Sequence, residues 1–174
     1  MEKSIEIRFK LDGIDAIDFF SALREGRGSL YDFNFELVVN GKVYRNNGNL
    51  LQSVHSALYH IGKDDKKFYL FDDGNRYSLQ VKQIEDKVHV KVKNGNATNI
   101  QEEILNADDF YNDLFDALRF VIDQFMRIET TNTWLNDFIK AKHEQLERIV
   151  ASRKKHASIT KPTSTHSASE NPYE

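Results

Sequence analysis

The apolar residues of this chain change their spacing at about residue 100, and this change constrains the fold more than any other feature. Over residues 68–93 apolar and polar residues alternate, interrupted at Asp73-Gly74 and Glu85-Asp86. Alternation between tight turns is typical of an antiparallel sheet with one wet side. Over residues 106–128 the apolar residues recur every three to four positions, which predicts an amphipathic helix.

Turn and capping residues divide the rest of the chain into further elements. Asn40-Gly41 is a dipeptide that two-residue hairpins prefer, because both central residues need positive φ. Asn49 and Asn106 each precede a helical pattern and are placed to cap it, and Gly62 ends the first of these helices. The predicted elements are strands at 4–11, 33–39, 42–45, 68–72, 75–84 and 87–93, and helices at 15–25, 49–61, 106–128 and 134–155.

The order βα-ββ-α-βββ-αα predicts an α+β fold, since consecutive strands joined by tight turns pair antiparallel. We expect a mostly antiparallel sheet of about five or six strands, with helices packed on one face and a C-terminal helical extension. Residues 1–139 are expected to form a single domain, and residues 140–156 the basic end of the last helix. Residues 157–174 are expected to be a disordered tail, because they have almost nothing to bury.

The composition excludes several classes of protein and of functional site. The chain has 174 residues and no cysteine, which excludes a disulfide scaffold, a zinc ribbon and a thiol nucleophile. Its longest apolar run is far shorter than the 18 or so residues of a membrane span, and no signal-peptide core is present. We therefore expect a cytoplasmic protein without a membrane partner. No catalytic, phosphate-binding or dinucleotide-binding motif occurs, so we expect neither enzymatic activity nor a cofactor.

The net charge of −3 is distributed unevenly along the chain. Residues 99–139 carry nine acids and two bases, whereas residues 140–174 carry seven bases and four acids. This asymmetry informs on partners and on electrostatic steering rather than on the fold.

The helix predicted at 106–128 presents an acidic stripe. At about 100° per residue four of its five aspartates lie within about 80° of one another, opposite the apolar face, with one phenylalanine among them. Such a surface suits a basic protein partner, for example a nuclease cleft. The alternative is a solvated face whose phenylalanine is covered by the last helix. The candidate partner-binding residues are Asp109, Asp113, Asp116, Phe120 and Asp123.

Two expectations accompany this stripe. No His or Glu joins the aspartates in a ligand pattern, so we expect no metal site there. Reversing Asp113 and Asp116 to Lys is expected to slow association with a basic partner while the melting temperature stays nearly unchanged.

The last helix carries an alternative surface, six bases able to contact the phosphates of a nucleic acid. Glu144 and Glu147 dilute these bases, and bases near a helix C-terminus are favoured by the macrodipole alone. We therefore expect a protein partner rather than a nucleic acid, and pairing of this helix with a second copy stays open. The candidate nucleic-acid-binding residues are Lys140, Lys142, Arg148, Arg153, Lys154 and Lys155.

A third alternative is an enzyme that uses carboxylates near the predicted meander. Asp72, Asp73 and Glu85 would act with His55 or His60. Asp73-Gly74 is also ordinary hairpin chemistry, which accounts for these residues without a reaction.

The element order and apolar pattern from about Tyr31 to Ile128 resemble those of small α+β immunity proteins that accompany bacterial polymorphic toxins. The resemblance covers a little over half of the chain. It implies a stoichiometric inhibitor that binds a cognate toxin and has no catalysis of its own, and it transfers no individual functional residue. The matching parts are the hairpin Phe33–Arg45, the helix Asn49–Ile61, the meander Phe68–Lys93 and the helix Asp109–Ile128.

Overall fold

The computed structural model describes residues 2–10, 33–72, 74–95, 98–127 and 133–160, with side chains described as far as residue 156. Within these ranges the chain forms seven strands and three helices. The strands are β1 (Ile5–Arg8), β2 (Phe33–Val39), β3 (Lys42–Gly48), β4 (Lys67–Leu70), β5 (Tyr77–Ile84), β6 (Lys87–Asn94) and β7 (Thr98–Asn106). The helices are α1 (Leu50–Gly62), α2 (Ala107–Met126) and α3 (Thr133–Thr160).

The strands form two antiparallel sheets, β1-β2-β3 and β4-β5-β6-β7. The α+β class with a C-terminal helix is confirmed. The arrangement differs from the expected sheet of about five or six strands. The described strands form two sheets, which α1 separates along the chain, and β7 is a strand that the sequence did not predict. None of the β7 residues is buried, and Gln101 and Glu103 occupy its inward side. The apolar alternation that marks the other strands is therefore absent from β7.

The turn and the two helix caps are confirmed. Asn40 and Gly41 adopt φ values of 46° and 82°, as a type I′ hairpin requires. The Asn49 side chain accepts a hydrogen bond from the Gln52 amide at 2.9 Å, and the Asn106 side chain accepts one from the Asp109 amide at 3.1 Å. Each cap satisfies an amide that the first turn of a helix leaves without an intrahelical partner.

Two side-chain amides join the sheets. Asn46, which is 3% exposed, donates to the Tyr77 carbonyl at 3.0 Å and accepts from the Tyr77 amide at 2.8 Å. The Asn46 side chain thus makes with the Tyr77 backbone the two hydrogen bonds that a residue of a neighbouring strand would otherwise make. Gln101 donates to the Val39 carbonyl at 3.1 Å and accepts from the Tyr44 hydroxyl. These hydrogen bonds connect the two sheets at their junction.

The apolar face of α2 forms the centre of the core. Leu114, Leu118, Val121 and Ile122 are fully buried, and burial of each such side chain stabilises the fold by about 1.5–3 kcal/mol. On one side α2 contacts β1 of the first sheet and β6 and β7 of the second, and on the other side it contacts α3. On the opposite face of α2 the side chains are exposed or half-buried.

Two sequence expectations fall outside the described residues in whole or in part. The helix predicted at 15–25 lies outside them, and so do residues 161–174 of the predicted tail. Residues 157–160 of that tail belong to α3, which ends at Thr160. Among the described helices, none combines the length and the apolar character that crossing a bilayer requires.

Candidate functional site

The predicted acidic stripe lies on one continuous helix. Because α2 runs without a break from Ala107 to Met126, Asp109, Asp113, Asp116 and Asp123 share the face opposite its buried side. We call these four residues the acidic face. Asp109 and Asp116 are exposed, and Asp113 and Asp123 are half-buried. No described residue is bonded to the carboxylates of Asp109 and Asp123.

Asp113 serves the fold. Its Oδ2 accepts hydrogen bonds from the Ser4 amide at 2.7 Å and from the Ser4 hydroxyl at 2.8 Å. Ser4 immediately precedes β1, so this carboxylate fixes the start of the strand on α2. A half-buried carboxylate that accepts two hydrogen bonds stabilises the fold. These contacts argue against the expectation that reversing Asp113 and Asp116 to Lys leaves the melting temperature nearly unchanged, and we now expect that variant to melt at a lower temperature.

Asp116 belongs to a chain of exposed ion pairs. Its carboxylate lies 3.3 Å from Lys3 Nζ and 3.2 Å from Arg119 Nη1, and Arg119 Nε donates to Glu147 of α3 at 3.0 Å. The Asp116 side chain is 51% exposed. Exposed pairs of this kind contribute about 0–1 kcal/mol and exchange readily with water, so Asp116 remains available to an incoming cation.

Phe120 lines a groove beside the acidic face. Its ring is half-buried and meets the ring of Phe9 edge-on, with centroids 5.3 Å apart. The ring is therefore partly covered from the end of β1. The groove has a volume of about 690 Å³ and runs between β1 and α2, where Asp116, Ala117, Phe120 and Gln124 form its helical wall. We call it the edge groove.

The other wall of the edge groove is a strand edge. Among the described strands β1 pairs only with β2. The Asn40 amide donates to the Ser4 carbonyl at 2.9 Å, which makes Ser4 and Asn40 a hydrogen-bonded pair. Hydrogen-bonded and open pairs alternate in an antiparallel ladder, so the amides and carbonyls of Ile5 and Ile7 point away from β2. Among the described residues this edge of β1 is unpaired, and an unpaired strand edge can accept an extended segment of another chain.

The six bases of the alternative surface do not share one side of α3. Arg153 is half-buried, with its guanidinium 4.0 Å from the centroid of the Tyr111 ring. Lys142 is half-buried above the Phe138 ring, and burial lowers its pKa. Both side chains are thus engaged with the body of the protein. The remaining four lie on the exposed side of α3, namely Lys140, Arg148, Lys154 and Lys155.

The two histidines of the enzymatic alternative have separate surroundings. His60 Nδ1 lies 2.8 Å from Asp65, and its ring stacks on Phe68. Burial lowers the pKa of His55, and the nearby charge of Lys142 lowers it further. The Nδ1 atom of His55 is buried, and no described residue is bonded to it. Neither histidine is bonded to Asp72 or Glu85, and Asp73 lies outside the described residues.

In the part of the chain that the structure describes, no group of three or more His, Asp or Glu side chains is arranged to hold a metal ion. Comparison with protein-family models, with curated proteins and with solved structures finds no match to this chain.

Proposed function

We propose that this chain is a non-catalytic binding protein of the immunity type. It occludes a basic protein partner, such as a secreted nuclease toxin, with the acidic face of α2 and the adjoining edge groove. The observation that carries the proposal is this adjacency. Asp116, an exposed carboxylate of the acidic face, lines a groove of about 690 Å³ that contains a half-buried aromatic ring. The other charged residues that line this groove are Glu6, Glu36, Lys3, Arg8 and Lys10. A charged rim around an apolar anchor is the usual anatomy of a specific protein interface.

The two parts of the site have different tasks. Carboxylates that are exposed and grouped on one face attract a basic protein from a distance, which raises the association rate and disfavours acidic partners. The edge groove holds the partner after contact, because it offers the backbone groups of β1 together with Ala117 and Phe120. Charge then governs the association rate, and the groove governs the dissociation rate.

The ligand for a binding experiment can be identified from the neighbouring gene. Immunity proteins act on a toxin that is encoded beside them, so we expect the neighbouring gene to encode a large secreted protein with a basic C-terminal domain. That domain is produced separately as the ligand for binding measurements. Absence of a stable complex with it would contradict the proposal.

Neutralising Asp109 and Asp123, the two carboxylates of the acidic face to which no described residue is bonded, is expected to slow association. The variant Asp109→Asn with Asp123→Asn should associate about tenfold more slowly than the unchanged chain at low salt, because steering by charge is lost. The difference should disappear at high ionic strength, where charges are screened. Surface plasmon resonance at 20 and 500 mM NaCl measures both rate constants.

A matched control neutralises two acids elsewhere. Glu85→Gln with Asp86→Asn removes the same charge from the exposed β5–β6 turn, and asparagine or glutamine has the same number of side-chain atoms as the acid it replaces. This control should associate at the unchanged rate. If both variants slow association equally, net charge alone is responsible and the acidic face is not the binding surface.

A further inference from the structure

All five lysines in the strands of the four-stranded sheet lie on its outer face. Val88, Val90 and Val92 of β6 are buried in the core. Because successive side chains of a strand point to opposite faces, the residues between them point outward. The pairing registers align these outward positions across the sheet, so that Lys67 faces Lys82 and Lys82 faces His89. The basic residues on this face, here called the lysine face, are Lys67, Lys82, Lys87, Lys91, Lys93 and His89.

The lysine face is strongly positive on an acidic protein. Among the outward residues of the four strands, five lysines meet one acid, Glu102, which lies 3.7 Å from Lys91. At the end of the sheet, Asp86 of the β5–β6 turn lies 4.0 Å from Lys87. The outward strand residues alone therefore carry a net charge of +4, whereas the whole chain carries −3 and the remainder accordingly −7. Lys67 and Lys82 oppose each other directly on neighbouring strands, an arrangement that destabilises a sheet. An anion bound between them would relieve this repulsion.

The arrangement of the cations matches a repeating anion. Alternate residues of one strand lie about 7 Å apart, so Lys87, Lys91 and Lys93 form a row of cations along β6, with His89 between the first two. The ring of Tyr69 is 38% exposed on the neighbouring side of the same face, with Lys93 Nζ 5.9 Å from its centroid. Positive rows beside an exposed aromatic ring are the features with which proteins bind single-stranded nucleic acids.

A nucleic acid fits this face better than a protein does. Lysine is depleted in the cores of protein interfaces, and here lysines occupy the middle of the sheet as well as its edge. A lysine contacts phosphate as a point charge and lacks the planar fork by which arginine reads guanine. Binding through such contacts does not depend on sequence.

We propose that the lysine face binds single-stranded nucleic acid through its phosphates. This surface is separate from the acidic face of α2 and from the bases of α3. About four phosphates are neutralised by the net charge of +4, while Tyr69 offers a ring for stacking.

Fluorescence anisotropy with labelled dT20 and rU20 tests the proposal on the full chain. Four phosphate contacts to a single strand predict that affinity falls about 50-fold between 50 and 200 mM NaCl. The variant Lys67→Gln with Lys82→Gln should bind more weakly at 50 mM NaCl, and its affinity should fall only about sevenfold over the same range. This variant should fold normally, because it removes a pair of opposed like charges from an exposed surface; circular dichroism checks this.

The control variant removes the same charge from α3. Lys140→Gln with Lys154→Gln alters two exposed lysines of the alternative surface and should leave oligonucleotide binding unchanged. Three results would overturn the proposal. Neither oligonucleotide binds at 50 mM NaCl, or the α3 variant loses binding while the sheet variant keeps it, or poly-glutamate displaces dT20 as effectively as unlabelled dT20 does. The last result would identify the lysine face as a surface for acidic proteins.

Discussion

Replacing Asp113 with alanine is expected to lower the free energy of unfolding by about 1–3 kcal/mol. The substitution removes an acceptor from the amide and the hydroxyl of Ser4, which lie 2.7 and 2.8 Å from the carboxylate. It also releases the start of β1 from α2, so the effect reaches the strand that lines the edge groove. Urea denaturation followed by circular dichroism measures the change in the unfolding free energy.

The neighbouring aspartates are the controls for this prediction. Asp116→Ala removes only exposed ion pairs and should cost less than about 1 kcal/mol, and Asp123→Asn should cost almost nothing. Ser4→Ala should have a smaller effect than Asp113→Ala, since the amide of residue 4 still reaches the carboxylate. Equal effects at Asp113, Asp116 and Asp123 would show that the contact with Ser4 does not stabilise the fold.

Replacing Asn46 with alanine is expected to have a larger effect, about 2–4 kcal/mol. The side chain satisfies both the amide and the carbonyl of Tyr77 at the junction of the two sheets, and each buried group left without a partner costs about 1–3 kcal/mol. The midpoint of urea denaturation should fall accordingly, with the slope of the transition unchanged.

Asn47 provides the matched comparison on the same strand. Its amide donates to the Asn34 side chain at 2.8 Å, and both groups are exposed. Water replaces such a bond at little cost, so Asn47→Ala should change the unfolding free energy by less than about 0.5 kcal/mol. A loss at Asn47 as large as that at Asn46 would contradict the junction that we describe.

Most of the fold could be predicted because its signals are local. The Asn40-Gly41 turn depends on the conformation of two adjacent residues, and the caps at Asn49 and Asn106 depend on an amide three residues away. The strand β7 could not be predicted in the same way. Its partner β6 supplies the buried valines, while β7 contributes Gln101 and Glu103 to the inward side, so no apolar period marks it.

The candidate site could be predicted only in part. Helical geometry alone places the four aspartates on one face. The use of one of them, Asp113, depends on Ser4, which is 109 residues away along the chain, and no local pattern reports such a contact. Phe9 and Phe120 are also far apart in sequence, and their contact helps to determine how much of the Phe120 ring is covered. The sequence therefore indicated the surface, and tertiary contacts divided it into structural and exposed carboxylates.

The aspartates of α2 have different roles, and this difference determines which substitutions can test binding. A substitution at Asp113 alters stability and binding together, so it cannot separate them. Asp109 and Asp123 carry the same charge on the same face without a described partner, so substitutions there report mainly on binding, with a small cost in stability at Asp109 from the helix dipole. Phe120 and Ala117 line the edge groove and report on the contact that follows encounter.

Hydrogen–deuterium exchange on the complex with the toxin domain tests the central claim most directly. If the acidic face and the edge groove form the interface, binding should slow exchange in peptides that cover residues 3–10 and 109–124. The amides of Ile5 and Ile7 should gain the most protection, because they point into the groove. Exchange over residues 87–93 of the lysine face should stay unchanged. Protection confined to the lysine face or to α3, with residues 3–10 and 109–124 unaffected, would contradict the account.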